Sequence, residues 1–127
     1  MLKKILGLVL VLAVPAQMAL AEGDAGKGEK VFKKCKACHA VGDGAENKTG
    51  PVLNGVVGRT VGTGADFEYS STLADMGAEG KTWTPEELDA FLAAPRDYAK
   101  GTKMSFAGLR KETERADVIA YLSTFTE

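Results

Sequence analysis

Both cysteines of this chain and its only histidine fall within five consecutive positions, Cys35-Lys36-Ala37-Cys38-His39. How two thiols at that spacing are read depends on the compartment they occupy. The first residues, MLKKILGLVLVLAVPAQMALA, place Lys3 and Lys4 ahead of an apolar run from Ile5 to Val14. Pro15 and Gln17 break the run before Ala19-Leu20-Ala21, an A-x-A cleavage pattern. Residues 1–21 therefore read as a secretory signal cut after Ala21, ahead of a single small domain at 22–127. A membrane span needs about 20 predominantly apolar residues. This run is shorter, is interrupted and has no basic stop-transfer residues after it, so an uncleaved anchor is the weaker reading. No cysteine stands at the cleavage point to carry a lipid.

Losing the signal removes Lys3 and Lys4 from the 16 Lys and Arg, which leaves 14 against 17 Asp and Glu, a net charge of −3. An acidic balance with no uniformly basic segment argues against nucleic acid as a partner. The basic residues are nonetheless clustered. Lys27, Lys30, Lys33, Lys34 and Lys36 crowd the front of the domain, and Lys100, Lys103, Arg110 and Lys111 gather near its end.

In an exported chain two cysteines usually pair, but a Cys35–Cys38 bridge closes too small a loop to stabilise much. A thioredoxin-like pair belongs at a helix start in an alternating β/α pattern, and no such alternation is visible. Structural zinc wants four Cys or His ligands, and this chain has three. What remains is Cys-x-x-Cys-His, the attachment motif of c-type haem. Two thiols on one helical turn can add to the vinyl groups on one porphyrin edge, and the next residue turns an imidazole toward the iron.

With His39 on one face of the iron, either another side chain fills the opposite face or that position stays open. The domain holds two methionines, Met76 and Met104. Met76 lies in SSTLADMGAEG, small and acidic, which reads as a solvated loop. Met104 lies in YAKGTKMSFAGL, with the Thr102 hydroxyl beside it and Phe106 and Leu109 as apolar cover. Met104 is the better candidate.

Three helices are expected. GDAGKGEKVFKKC has Asp24 as cap and Val31, Phe32 and Cys35 on one face. Gly28 within it costs about 1 kcal/mol relative to alanine, so a second backbone is expected to cross there. TPEELDAFLAAP has Thr84 as cap, Pro85 at the first helical position, Glu87 completing a capping box and an apolar stripe of Leu88, Phe91 and Leu92 that stops at Pro95. In ETERADVIAYLSTF, Val118, Tyr121, Leu122 and Phe125 mark a buried face. No strand pattern or internal repeat is evident. The loops at 36–83 are far longer than usual, which normally counts against such an assignment, and become acceptable if they wrap a large apolar ligand that serves as core.

In order along the chain, KGEKVFKKCKACH, KTGPVLNGVVGR, FEYS, TW, KGTKMSFAGL and TERADVIAYL together resemble the class I c-type cytochromes, the family of mitochondrial cytochrome c and its soluble bacterial relatives. The resemblance covers the whole domain and implies an all-α cytochrome c fold, three main helices and long loops around one covalently bound haem c. It implies attachment through Cys35 and Cys38, with His39 and Met104 as the metal ligands. Pro51 matches the residue whose carbonyl accepts from the proximal imidazole. Arg59, Tyr69 and Trp83 match residues near the haem propionates, and Thr102 one beside the buried propionate. Gly28, Phe32, Val118 and Tyr121 match the crossing of first and last helices. Two departures stand out: the segment from Tyr69 to Trp83 is longer than in mitochondrial members, and Phe91 stands where many relatives have a tyrosine near the methionine.

The function implied is that of a soluble periplasmic one-electron carrier, a monomer and not an enzyme. Its expected donor is a quinol:cytochrome c reductase, and its acceptor a photosynthetic reaction centre, a cytochrome oxidase or another reductase. Docking is expected through Lys33, Lys34, Lys36, Lys100 and Lys103 around the haem edge. The alternative is a haem enzyme or gas-binding cytochrome with an open or labile sixth iron position.

Overall fold

The computed structural model describes Gly7 and residues 23–127; the expected signal segment and its cleavage point lie outside the described residues, Gly7 apart. The described chain is helical and irregular. Its helices are α1 (Ala25–Phe32), α2 (Ser71–Ala78), α3 (Pro85–Ala93), α4 (Pro95–Tyr98) and α5 (Glu112–Leu122). The one β feature among the described residues is an isolated bridge between Thr60 and Thr82.

α1 starts as expected, with the Asp24 carboxylate accepting from the Lys27 amide at 2.9 Å. The Asp24 amide in turn donates to Asp117 Oδ1 at 2.8 Å, which ties this end of α1 to α5. The crossing is close because Gly28 has no side chain: a Cβ there would lie 2.0 Å from the Asp117 carbonyl oxygen. Phe32, Val118 and Ile119 fill the seam, each at most 2 % exposed, and Phe32 packs on Tyr121 with ring centroids 5.5 Å apart. The awkward glycine of α1 is thus a packing residue.

Among the described residues five helices form where three were expected. α2 occupies the stretch read as a solvated loop around Met76. Leu73 and Met76, one turn apart, pack onto the core, and the Ser70 hydroxyl accepts from the Leu73 amide. The small residues let the helix lean directly on the chain, since a Cβ on Gly77 would sit 1.9 Å from the Val61 carbonyl oxygen. Tertiary contact, not propensity, sustains so short a helix. α4 is the other addition. Pro95 ends α3, as its missing N–H requires, but then serves as the first residue of a new turn.

The capping box of α3 forms by half. Thr84 Oγ1 accepts from the Glu87 amide at 3.1 Å, but the Thr84 amide bonds Thr82 and the Glu87 carboxylate accepts from the Tyr98 hydroxyl. Arg115 joins the halves of the domain: its Nε donates to Asp89 of α3 at 2.7 Å and one Nη to the Leu109 carbonyl at 2.8 Å.

Candidate haem site

The helical turn after α1 continues through the motif, with the Cys35 amide bonded to Phe32 at 2.8 Å and the His39 amide to Cys35 at 2.9 Å. Cys35 and Cys38, both free thiols, therefore lie three residues apart on one turn. They face an internal cavity of about 310 Å³ that also receives His39, Pro51, Arg59, Tyr69, Trp83, Thr102 and Met104. All nine residues singled out in the sequence line this single cavity. Phe32, Leu53, Val56, Leu73, Leu88, Phe91 and Leu92 supply most of its apolar wall.

The imidazole is the most closely held of these groups. His39 Nδ1 lies 2.7 Å from the Pro51 carbonyl oxygen. A carbonyl only accepts, so Nδ1 carries the proton and Nε2 is left with a free lone pair. Burial pushes the imidazole below its ordinary pKa, against the opposing pull of the Pro51 bond. The ring is thereby kept neutral, the form that binds metal. Gly50, directly before Pro51, is what lets the ring lie where it does. A Cβ there would meet the ring's Cε1 at 2.4 Å and its nitrogens at 2.8 Å. Burial, and then the neighbouring Cys38, push the Cys35 thiol up, with Lys34 opposing.

On another wall Arg59 donates one Nη to the Asn54 carbonyl at 3.1 Å, while its Nε is buried with no hydrogen-bond partner. Orphaned buried donors of a guanidinium are rare and ask for an acceptor. The Tyr69 hydroxyl accepts from the Gly64 amide at 2.9 Å, which leaves its own proton free. The two groups converge, because a Cβ on Gly64 would meet the Tyr69 hydroxyl at 2.3 Å and Arg59 Nη2 at 3.4 Å. Asn54, which sequence reasoning missed, fixes this wall by bonding both backbone groups of Gly42. Its side chain is therefore as much a strut as any in the loop.

Thr102 Oγ1 accepts from the Met104 amide at 3.3 Å, and Arg96 holds the following Ser105 carbonyl at 3.2 Å. Phe91 supplies no hydroxyl near Met104. The Tyr98 hydroxyl, on a ring that stacks on Trp83, donates to Glu87.

This donor set fits a haem. The wall suits a flat apolar macrocycle, two thiols face it for covalent attachment, a neutral imidazole and a thioether stand ready as nitrogen and sulfur ligands, and the unpartnered Arg59 Nε suits a carboxylate at the macrocycle's edge.

Known proteins agree. Residues 25–126 match the family described as cytochrome c. The chain is similar to a cytochrome c2 from Agrobacterium tumefaciens, 52 % identical over 80 % of this chain and 91 % of that protein. It is also similar to a cytochrome c-550 from Ancylobacter novellus, 54 % identical over 78 % of this chain and 92 % of that one. Among solved structures, cytochrome c2 from Rhodospirillum centenum superposes with a TM-score of 0.76 at 46 % identity, covering 83 % of this chain and 100 % of the other. The chain belongs to the cytochrome c family, as a class I bacterial c-type cytochrome that carries haem c at its Cys35-x-x-Cys38-His39 motif.

Proposed function

We propose that the chain is exported, loses residues 1–21 after Ala21, and works in the periplasm as residues 22–127, a monomer that takes one electron from a quinol-oxidising cytochrome complex and gives it to a reaction centre, oxidase or reductase. The observation that carries this reading is the shared cavity, which gathers two thiols, the Pro51-tethered imidazole and the Met104 thioether on apolar walls. Haem, when bound, supplies the one-electron couple.

In this reading Cys35 and Cys38 would hold the cofactor covalently, and His39 and Met104 would supply the nitrogen and sulfur ligands to its iron. The Pro51 carbonyl keeps the His39 ring oriented and basic. Arg59, Tyr69, Trp83 and Thr102 would surround the propionates, whose oxygens would give Arg59 Nε the acceptor it lacks. With both His39 and Met104 bound, the iron would have no position left for a substrate, which favours electron transfer over bond chemistry. A soft thioether in a desolvated wall favours the reduced state and raises the potential.

Lys34 and Lys103 lie at the cavity's edge, and Lys33, Lys36 and Lys100 are exposed. Lys34 pairs with Glu114 at 3.4 Å and Lys103 with Glu68 at 4.0 Å, but both lysines remain more than half exposed. Such pairs contribute about 0–1 kcal/mol and yield readily to an acidic partner.

The test is to express the full chain in cells that attach haem and to titrate the reduced protein with carbon monoxide. Covalent haem, no uptake of carbon monoxide and turnover with membrane complexes that fades with salt are expected. A colourless product, or a reduced protein that takes up carbon monoxide freely, overturns the reading.

A further inference from the structure

We infer that Glu87, acting through Tyr98, is a positioning residue that holds the Met104 loop against the Trp83 wall of the cavity; this rests on the reading of Met104 as an iron ligand. Tyr98 closes α4 and stacks on Trp83, with centroids 6.0 Å apart and planes at 29°, while its edge meets Phe91 at 5.6 Å and 72°. Trp83 and Phe91 both line the cavity, whereas Tyr98 stands behind them. The Tyr98 hydroxyl donates to Glu87 Oε2. Lys81 completes the cluster, with Nζ 3.8 Å from the same carboxylate oxygen and 5.6 Å from the centre of the Tyr98 ring.

The loop that carries Met104 leaves directly from this anchor. Ala99, fully buried, bonds back to Pro95 at 2.9 Å and accepts from the Thr102 amide at 3.0 Å, and Thr102 then accepts from Met104. A shift of Tyr98 is therefore passed along a short bonded path to the thioether, and through the ring stack to Trp83. A neutral phenol bonded to a carboxylate is a charge-assisted contact, stronger than an ordinary hydrogen bond. Burial and the Glu87 carboxylate both push the Tyr98 phenol above its ordinary pKa, so it stays a donor across the range in which the protein works. No other aromatic hydroxyl near this wall makes such a bond among the described residues.

The test uses the haem-loaded protein and imidazole as an external ligand competing for the ferric iron. Removing the donor in Tyr98→Phe, or the acceptor in Glu87→Ala, should tighten imidazole binding about tenfold, the worth of one hydrogen bond to a charged group. The midpoint potential should fall alongside as thioether ligation weakens. Glu87→Gln keeps an acceptor and should recover most of the parent's behaviour. The double variant Tyr98→Phe, Glu87→Ala should match either single one, because both break the same bond.

A merely structural role would lower the denaturation midpoint and leave imidazole affinity alone. Parent-like affinity in Tyr98→Phe, alongside much tighter binding in Met104→Ala, would overturn the inference. If Tyr98→Phe fails to load haem, an imidazole affinity in Glu87→Ala equal to the parent's overturns it in the same way. Should the parent itself bind imidazole as readily as Met104→Ala, it is the assignment of Met104 that fails.

Discussion

The α1–α5 crossing and the cavity walls are ordered by opposite means. At the crossing, backbone meets backbone at Gly28 and the seam is filled by the chain's own side chains, Phe32, Val118 and Ile119. Around the cavity, the segments 39–70 and 99–109 are mostly irregular and are kept in place by side chains that bond backbone: Asn54 to Gly42, Asn47 to Ala65, Arg59 to Asn54, Arg96 to Ser105. One region brings its own core, and the other is a shell shaped for a core that arrives as a cofactor. Cofactor attachment should therefore decide the folding of the second region far more than that of the first.

Preventing attachment is the strongest way to break that contrast. At about 24 cal/mol per Å³, a void of about 310 Å³ costs about 7 kcal/mol, which is comparable to the whole stability of a small domain, about 5–15 kcal/mol. The double variant Cys35→Ser, Cys38→Ser should lose cooperative thermal unfolding, and amides of residues 39–70 should exchange without protection. Residual protection is expected first in α1 and α5. Slow exchange throughout 39–70 in a haem-free chain would show that the shell stands by itself.

The next effect strikes the other region. Gly28→Ala places a methyl 2.0 Å from the Asp117 carbonyl oxygen, a clash with backbone that no rotamer relieves. The two helices must separate, at a cost of about 3 kcal/mol, the upper end for overpacking. Urea unfolding of the holoprotein measures it. The haem spectrum should stay close to the parent's, because, although Phe32 and Val118 reach the cavity wall from the crossing, none of the groups that would hold the iron lies in it.

The same contrast explains what could be read in advance. Gly28 was legible because a glycine inside an apolar helical pattern demands a reason, and the cysteine–histidine cluster was legible because its spacing is itself the chemistry. α2 was not. Leu73 and Met76 give only two apolar positions in a run of small and acidic residues, and although Ser70 and Gly80 stand at its ends as cap and stop, the helix depends on its contact with Val61. A glycine before a proline signals no more than a turn, while the real constraint on Gly50 is the His39 ring lying against it. Glu87 fitted the three-residue spacing of a capping box, yet its carboxylate serves Tyr98, a partner defined by the fold and not by local spacing. Asn54 and Arg115 likewise act on residues that only the folded chain brings near.

Arg115 tests how strongly the two regions are coupled. Its guanidinium links α5 to α3 through Asp89 and to the loop after Met104 through the carbonyls of Leu109 and Arg110. The Arg115 and Asp89 side chains are only 13 % and 23 % exposed, so the pair is shielded more than a surface bridge. Arg115→Ala should lower stability by about 2 kcal/mol, within the range for bonds to charged groups, and Asp89→Asn by less, because the carbonyl bonds remain. Equal losses from the two variants would assign the coupling to the ion pair alone. Unfolding midpoints at two salt concentrations separate the contributions, since the part due to charge weakens with screening.

The smallest effect lies on the cavity side and appears only at high pH. Tyr98 has a folded-state pKa above the ordinary phenol value of 10.0, raised by burial and by the Glu87 carboxylate. Lys81 faces the same ring and carboxylate. A raised pKa means that the folded state keeps its proton where the unfolded state has lost it. The stabilisation linked to this proton is complete below pH 10.0 and declines as pH climbs toward the folded-state value. Tyr121 is shifted in the same direction, by burial and by Glu29, and contributes its own decline. Above pH 10.0, stability should therefore fall less steeply with pH in Tyr98→Phe than in the parent, with the two slopes equal at neutral pH. Urea midpoints measured in small pH steps give both slopes, and a variant that tracked the parent through the alkaline range would mean that the Glu87 bond does not shape the cavity wall's response to pH.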